Sequence, residues 1–451
     1  MMNTGFSAGV SQDLVRKISW RITPVLMLMY FMCIIDRVNL GYASLTMNKE
    51  LGLTAAQYGF AAGLLYMAYI LCEVPSNILL HRTSPRIWFT RIMITWGLCS
   101  AATGLIQNET HLYTARLLLG AAEAGLFPGV LYYLTRWLPR EERVSVVAMF
   151  MMAAPIAFVV GAPVSGYLID HASVFGYSGW RAMLIIEGLI PVALGLILPF
   201  ILTNTPEEAK WLTATEKSAI RSALAEEEKS AIANDHGFLK ALADGKVWAL
   251  GFVFFGINVT FSILFWFLPQ MVAGFKSTMG GNLTTGQIGM ISASPFATAA
   301  IAMLVYGFWL KGKATTVAHV SGPIAVAALG TVIPAMSASP YVIMVGLCMA
   351  AAGAFCAMVS FWQLPPMIFK GRTAASGIAM VAAIGVSSNA VIPWINGYIK
   401  DMTGSLNGAM MFNGGVIVLA LITAIIISFK LTRQSPTPSA EASGIRGTAR
   451  S

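Results

Sequence analysis

The sequence predicts an all-α integral membrane protein, with twelve transmembrane helices in two pseudo-symmetric bundles of six. Three observations carry this expectation. Only 11% of the 451 residues are charged while 57% are hydrophobic, where a soluble domain holds about 25% charged residues, and the mean hydropathy is +0.71. Apolar runs of about 20 residues, long enough for a helix to cross a bilayer core, recur through the whole chain. Finally, short segments in the first half return in the second half at a fixed offset.

In chain order, the runs lie near 22–43, 56–80, 87–107, 112–135, 144–169 and 181–203, then near 247–272, 286–310, 316–336, 340–365, 373–399 and 408–430. The start, MMNTGFSAGVSQDLVRKISW, lacks the short apolar core and small-residue cleavage site of a signal peptide, so the first run should act as its own insertion signal. Residues 1–203 then form the first bundle and 247–431 the second, with a cytoplasmic linker at 204–246 and a disordered tail at 432–451. The linker opens with TNTPEEAKWL, where Thr205 reads as an N-cap, Pro206 as the first helical residue, and Glu207 and Glu208 as first-turn acids. The tail, rich in Ser, Pro, Ala and Gly, has too little apolar surface to fold.

Basic residues set the expected orientation. Assigned to alternate loops, nearly all fall on one side, among them Arg16, Lys17, Arg21, Arg82, Arg86, Arg136, Arg140, Lys370 and Arg372. The opposite side receives only Lys49, Arg181, Lys276 and Lys400. Positive residues stay on the cytoplasmic side, which places both termini and the linker there. The +9 net charge is thereby spread over separate loops, with no clustered stripe for nucleic acid. Five cysteines, all within apolar runs, show neither metal-site nor disulfide spacing.

The internal repeat is local but consistent. TAAQYG at 54–59 and TTGQIG at 284–289 open the second and eighth runs 230 residues apart, and PVSGYLID at 163–170 matches PWINGYIKD at 393–401 at nearly the same spacing. Two matches at corresponding ends of corresponding runs argue for duplicated bundles in parallel orientation, with a binding site between them near the midplane.

Charges inside the runs are asymmetric. Asp36, Arg37, Glu73, Arg116, Glu123 and Glu187 lie in first-half runs, and no counterpart stands clearly inside a second-half run. A charge at membrane depth costs about 2.5–3.5 kcal/mol on insertion scales, so it needs a partner, a wet cavity or a function. At about 1.5 Å rise per residue, Asp36 lies roughly 21 Å from the cytoplasmic entry, and Arg116 and Glu123 roughly 6 and 16 Å from the opposite one. Asp36 and Arg116 are therefore at similar heights, and Arg116 and Glu123, nearly two turns apart, share one helix face. Glu73 and Glu187 read as helix-end residues with structural roles.

The segments IDRVNLGYA, EVPSNILLHR, ARLLLGAAEAGLFPGVLYYLTRWLPREER, GWRAMLIIEG, TPEEAKWL, FWFLPQMV and FWQLPPMIFKGRTAASGIAM resemble, in order, the anion:cation symporter family of the major facilitator superfamily. That resemblance implies the twelve-helix alternating-access fold and a carrier of organic anions, in bacteria mostly driven by protons. It assigns proton coupling to Asp36 and Glu123, the substrate anion to Arg37, and to Arg116 a role pairing with those acids. Tyr66, Tyr69, Asn258, Trp266, Trp362, Gln363 and Asn389, aromatic and amide residues at plausible depth, are expected to complete the pocket. Two departures stand out: SNILLHRTSPR and YGFWLKGKATT lack the superfamily's Gly/Asp/Arg loop pattern, and IGVSSN replaces IGNLGG in the eleventh run, with Val386 at the usual asparagine position and Asn389 nearby.

The expected activity is import of a small organic carboxylate by proton symport, across a bacterial inner membrane and with no other cofactor or metal. The cargo class is an aromatic or hydroxy acid, a sugar acid or a dicarboxylate, and the carrier is expected to be a monomer. A proton-independent facilitator, a sodium-coupled carrier and a non-transporting nutrient sensor remain alternatives. An enzyme is disfavoured because no nucleophile–base pair or HExxH spacing occurs.

Overall fold

The computed structural model describes residues 10–230, 243–275, 283–311, 316–369 and 374–434. The first half contains α1 (Gln12–Glu50), α2 (Ala55–Arg82), α3 (Pro85–Thr103), α4 (Glu109–Glu123), α5 (Leu126–Thr135), α6 (Arg140–Met151), α7 (Ala153–His171) and α8 (Gly179–Ile201). A linker helix, α9 (Ala214–Ser230), leads to the second half. There, α10 (Gly245–Ser262), α11 (Leu268–Ala273), α12 (Thr285–Leu310), α13 (Ala318–Ala335), α14 (Pro340–Phe361), α15 (Leu364–Ile368), α16 (Ala374–Val386), α17 (Ser388–Thr403) and α18 (Asn407–Gln434) follow. The pairs α4–α5, α6–α7, α14–α15 and α16–α17 are each one interrupted span, as are α10 and α11 across the π turn Ile263–Phe267.

Eleven of these spans are long and apolar enough to cross a membrane by composition alone. The twelfth is α3, which carries Arg86 and Arg91 and packs along α8 and α4. Its 19 residues reach about 28 Å, the thickness of a bilayer core. Bulky apolar side chains such as Phe200, Phe308 and Leu71 stand on the outer surface, where lipid rather than water would meet them.

Helix ends depart from the expected bounds in several places. The linker's TPEE segment forms only a 3-10 turn, Pro206–Glu208, and the helix begins later. Thr213 and Glu216 supply its capping box: Glu216 N–H donates to Thr213 Oγ1 at 3.3 Å, and Thr213 N–H donates to Glu216 Oε2 at 2.7 Å. Lys17 also reaches Glu216 at 2.8 Å, and its hydrogen bond holds that carboxyl below the usual carboxylate range. The expected tail is helical as far as Gln434, and positions 435–451, like 231–242 of the linker, lie outside the described residues.

The repeat seen in the sequence proves to be the joint between the halves, at the face opposite the termini. Thr54 and Gln57 form a capping box that satisfies the N–H groups of both residues, leaving those of Ala55 and Ala56 open. Asp401, from the end of α17 in the other half, accepts both, at 2.9 and 2.7 Å. The second copy repeats each contact. Thr284 and Gln287 form the box, and Asp170 at the end of α7 accepts from Thr285 at 3.1 Å and Gly286 at 2.7 Å. All four orphan donors of each helix start are thus met, half of them by the opposite half.

One turn further in, Gly59 and Gly289 end the two repeats. A Cβ on Gly59 would stand 2.1 Å from Pro393 O, and one on Gly289 would stand 2.3 Å from Ala162 O. Glycine is what lets α2 lie on α17 and α12 on α7. The halves are further tied by Tyr58 Oη donating to Trp266 O at 2.9 Å and by Gln270 Nε2 donating to Ser44 Oγ at 2.8 Å.

Removing both clasps should loosen this face. Each cap is worth about 1 kcal/mol, so Asp170→Ala with Asp401→Ala should raise the open fraction by about 5- to 30-fold. Maleimide labelling of a Ser44→Cys reporter in a background without the native cysteines measures it, and an unchanged labelling rate would contradict the assigned strength.

Candidate functional site

The first-half charges gather around α1. Asp36 and Arg37 are consecutive, so their side chains leave the helix about 100° apart and meet different neighbours. Arg37 turns to α4, where Nε donates to Glu123 Oε1 at 2.8 Å and Nη2 donates to the same oxygen. Cys33, one turn earlier, donates its thiol to that oxygen as well, at 2.9 Å. Glu123 is fully buried and its Oε2 has no hydrogen-bond partner. Tyr66 and Tyr69 of α2 cover the guanidinium, with ring centroids 5.6 and 5.4 Å from Arg37 Cζ, a geometry in which the ring faces attract the cation.

Asp36 turns to α3. Trp96 Nε1 donates to its Oδ2 at 2.9 Å, Ser100 Oγ donates to Oδ1, and Asn39 Nδ2 donates to Oδ1 at 3.3 Å. Trp96 and Ser100 are one turn apart and therefore share a face. The expected pairing of Asp36 with Arg116 is not seen. Arg116 is 1% exposed, makes no ion pair among the described residues, and its Nε and Nη1 have no hydrogen-bond partner. Similar height was a poor guide, because side-chain direction around α1 decides which partner each charge meets.

Glu123 owes its position to a break in the chain. The helix α4 stops at Glu123, and Gly125 takes φ 91° before α5 continues the span. A Cβ on Gly125 would fall 2.2 Å from Ser76 Oγ, whose hydroxyl donates to Ala124 O at 2.6 Å. The Glu-Ala-Gly sequence held a signal for this break that the reading of one continuous run, 112–135, passed over.

Across the interface, the π turn Ile263–Phe267 sets Trp266. Its carbonyl accepts from Tyr58, its ring lies edge-on to Tyr66 at 6.4 Å, and its buried Nε1 is unpartnered. Such turns leave backbone groups free for other partners. Asn389 Nδ2 donates to Asn258 Oδ1 at 3.4 Å, and Asn258 Nδ2 donates to Phe254 O at 2.9 Å. The Phe254 ring in turn meets Trp362 edge-on at 4.9 Å. The structure therefore brings Arg37, Glu123, Tyr66, Tyr69 and Trp266 together. It places Asn258, Asn389 and Trp362 in a second polar and aromatic row along the other half, with Gln363 next to Trp362 in sequence at the end of α14.

Glu187 was missed as more than a helix-end residue. It lies two turns inside α8, is 6% exposed, and accepts from Ser165 Oγ at 2.7 Å and from Asn39 Nδ2 at 3.0 Å. Ser100, Ser165 and Asn39 are uncharged, so a search for buried charges could not find the network that joins them. Glu73 stays half-buried toward the other end of α2.

A model of the Major Facilitator Superfamily matches residues 26–387. The chain belongs to this superfamily of membrane transporters. A protein of Agrobacterium vitis named for tartrate transport is 37% identical over 94% of this chain and 92% of its own length. The metabolite transport protein NicT of Pseudomonas putida is 34% identical over 94% and 96%. Among solved structures, an inward-facing, unoccupied bacterial homologue of the human lysosomal transporter Spinster superposes with a TM-score of 0.73 at 16% identity, covering 95% of this chain and 100% of that one. The last likeness shows the fold alone.

Gly125→Ala should destabilise the protein, since left-handed backbone costs an alanine about 1–2 kcal/mol before the overlap with Ser76 is counted. Thermal unfolding in detergent should show a lower Tm than wild type, and an equal Tm would mean the break needs no glycine.

Proposed function

We propose that this major facilitator transporter imports a small organic acid together with protons, and that Arg37 is the seat of the incoming carboxylate. The observation that carries this reading is the Arg37–Glu123 pair, in which Glu123 is fully buried and the guanidinium lies under the Tyr66 and Tyr69 rings, with Trp266 of the other half against Tyr66. One guanidinium cannot serve two carboxylates with the same nitrogens. While Glu123 is ionised it occupies Nε and Nη2; once protonated it carries no charge to hold them, and a substrate carboxylate can take the planar fork. Proton binding and anion binding then favour each other, which is the requirement for symport.

Asp36 serves in this scheme as a second acid beside the first, and Arg116 as a buried cation that balances the group. The excess of lysine and arginine at the face bearing the termini supports an orientation with both ends in the cytoplasm. The clasps of Asp170 and Asp401 then lie outside. The bacterial relatives support an inner-membrane location, and the Agrobacterium vitis proteins named for tartrate make a hydroxy dicarboxylate the first cargo to test.

Tartrate uptake into proteoliposomes under an inward proton gradient provides the test. Accumulation should collapse with a protonophore and be indifferent to sodium; the reverse pattern would exchange the coupling ion, and gradient-independent equilibration would leave a facilitator. Glu123→Gln should retain tartrate counterflow and lose uphill accumulation. Arg37→Lys should weaken tartrate affinity by about tenfold or more, since a hydrogen bond to a charged group contributes about 1.5–3 kcal/mol. Unchanged affinity would place the carboxylate elsewhere.

A further inference from the structure

Glu187 is a carboxyl group that the scheme above leaves unused. It belongs to α8, accepts from Ser165 of α7, and is hydrogen-bonded to α1 through Asn39. Asn39 is completely buried and stands one turn from Asp36 on the same face of α1. Its amide Nδ2 donates to both acids, at 3.0 Å to Glu187 Oε2 and 3.3 Å to Asp36 Oδ1. Its Oδ1 is buried without a hydrogen-bond partner.

The charges around this unit are unbalanced. Neither Asp36 nor Glu187 forms an ion pair among the described residues. The groups that face them are Trp96 and Ser100 from α3, Ser165 from α7, and Arg116 of α4, which acts on Asp36 at longer range. Glu123 and the Cys33 and Cys99 thiols are further titratable groups within electrostatic reach of Asp36. Two carboxylates sharing one neutral amide in a low-dielectric site do not both keep their charge easily. The orphan oxygen offers the remedy. A protonated carboxyl is a donor as well as an acceptor, and a half-turn of the Asn39 amide would exchange Nδ2 and Oδ1, so that the oxygen would face both acids and accept from the O–H of either.

We propose that Asp36 and Glu187 form a single proton-binding pair joined by the Asn39 amide, whose nitrogen faces the pair when it is ionised and whose oxygen can face it when it is protonated. The pair rests on the symport reading only for its purpose, which is to hold a proton that enters with the cargo. Protonation forms one O–H bond at one carboxyl with a proton taken from water, and release breaks that bond, with no change of redox state. Asn39 is a positioning residue, and Glu187 a proton site that substrate does not touch.

Infrared difference spectra of the full protein in proteoliposomes test the pair without any cargo. Wild type should show a pH-dependent carboxylic-acid C=O band that moves in D2O. Glu187→Gln, which keeps a side chain able to meet Ser165 and Asn39, should abolish or shift that band, and Asn39→Leu should split it into separate titrations. In parallel, the pH of half-maximal tartrate counterflow should move by about one unit or more in Glu187→Gln, a change that a packing role would not cause. An unaltered band and pH profile in a Glu187→Gln protein that melts like wild type would overturn the pair. If wild-type uptake ignores the proton gradient while Glu187→Gln still removes the band, the symport reading fails and the pair stands. If gradient-driven uptake and its pH profile are the same in both proteins and the band persists, the pair fails and symport stands.

Discussion

A charge placed in hydrocarbon must be answered by a partner, and the first half of this protein is organised around that demand. Arg37 and Glu123 answer each other directly, and two tyrosine faces add to the cation's environment. Taking two ions out of water costs several kcal/mol per ion, and their attraction repays it only in good geometry. Hydrophobic residues of the same size would serve stability as well or better. A pair retained under those terms is more readily understood as one that must come apart.

The second half supplies shape rather than charge. Its π turn turns a backbone carbonyl and an indole toward the first half, and Asn258 and Asn389 add neutral polarity to its interior. Duplication has therefore kept the scaffold and let the two interiors diverge. Positions equivalent to Arg116 and Glu123 are Gly346 and Gly353, and both now serve close helix packing against α13, near Pro334 and Ala327 respectively.

Much of this was legible in the chain because hydropathy and helix-start chemistry are local. The spans, the repeated segments at 54–59 and 284–289 and the four central charges follow from composition, spacing and type. The pairing of those charges was not legible, because it depends on how far α1 is rotated against α3 and α4. Neither the π turn at Trp266 nor the polar bridge through Asn39 carries a local pattern that distinguishes it from ordinary membrane helix. Glu187 was misplaced for a related reason: Arg181 was taken as the boundary, whereas α8 begins at Gly179 and carries the glutamate inward.

The paired aspartates have an implication for ancestry. In a two-fold dimer, residue i of one copy meets residue j of the other and the reverse contact follows automatically. Asp170 against the start of α12, and Asp401 against the start of α2, obey that rule within one polypeptide. A single six-helix ancestor bearing one such acid and one such helix start would already have been able to embrace its twin. Fusion then freed each embrace to change alone, so that a carrier born symmetric could acquire a preferred side.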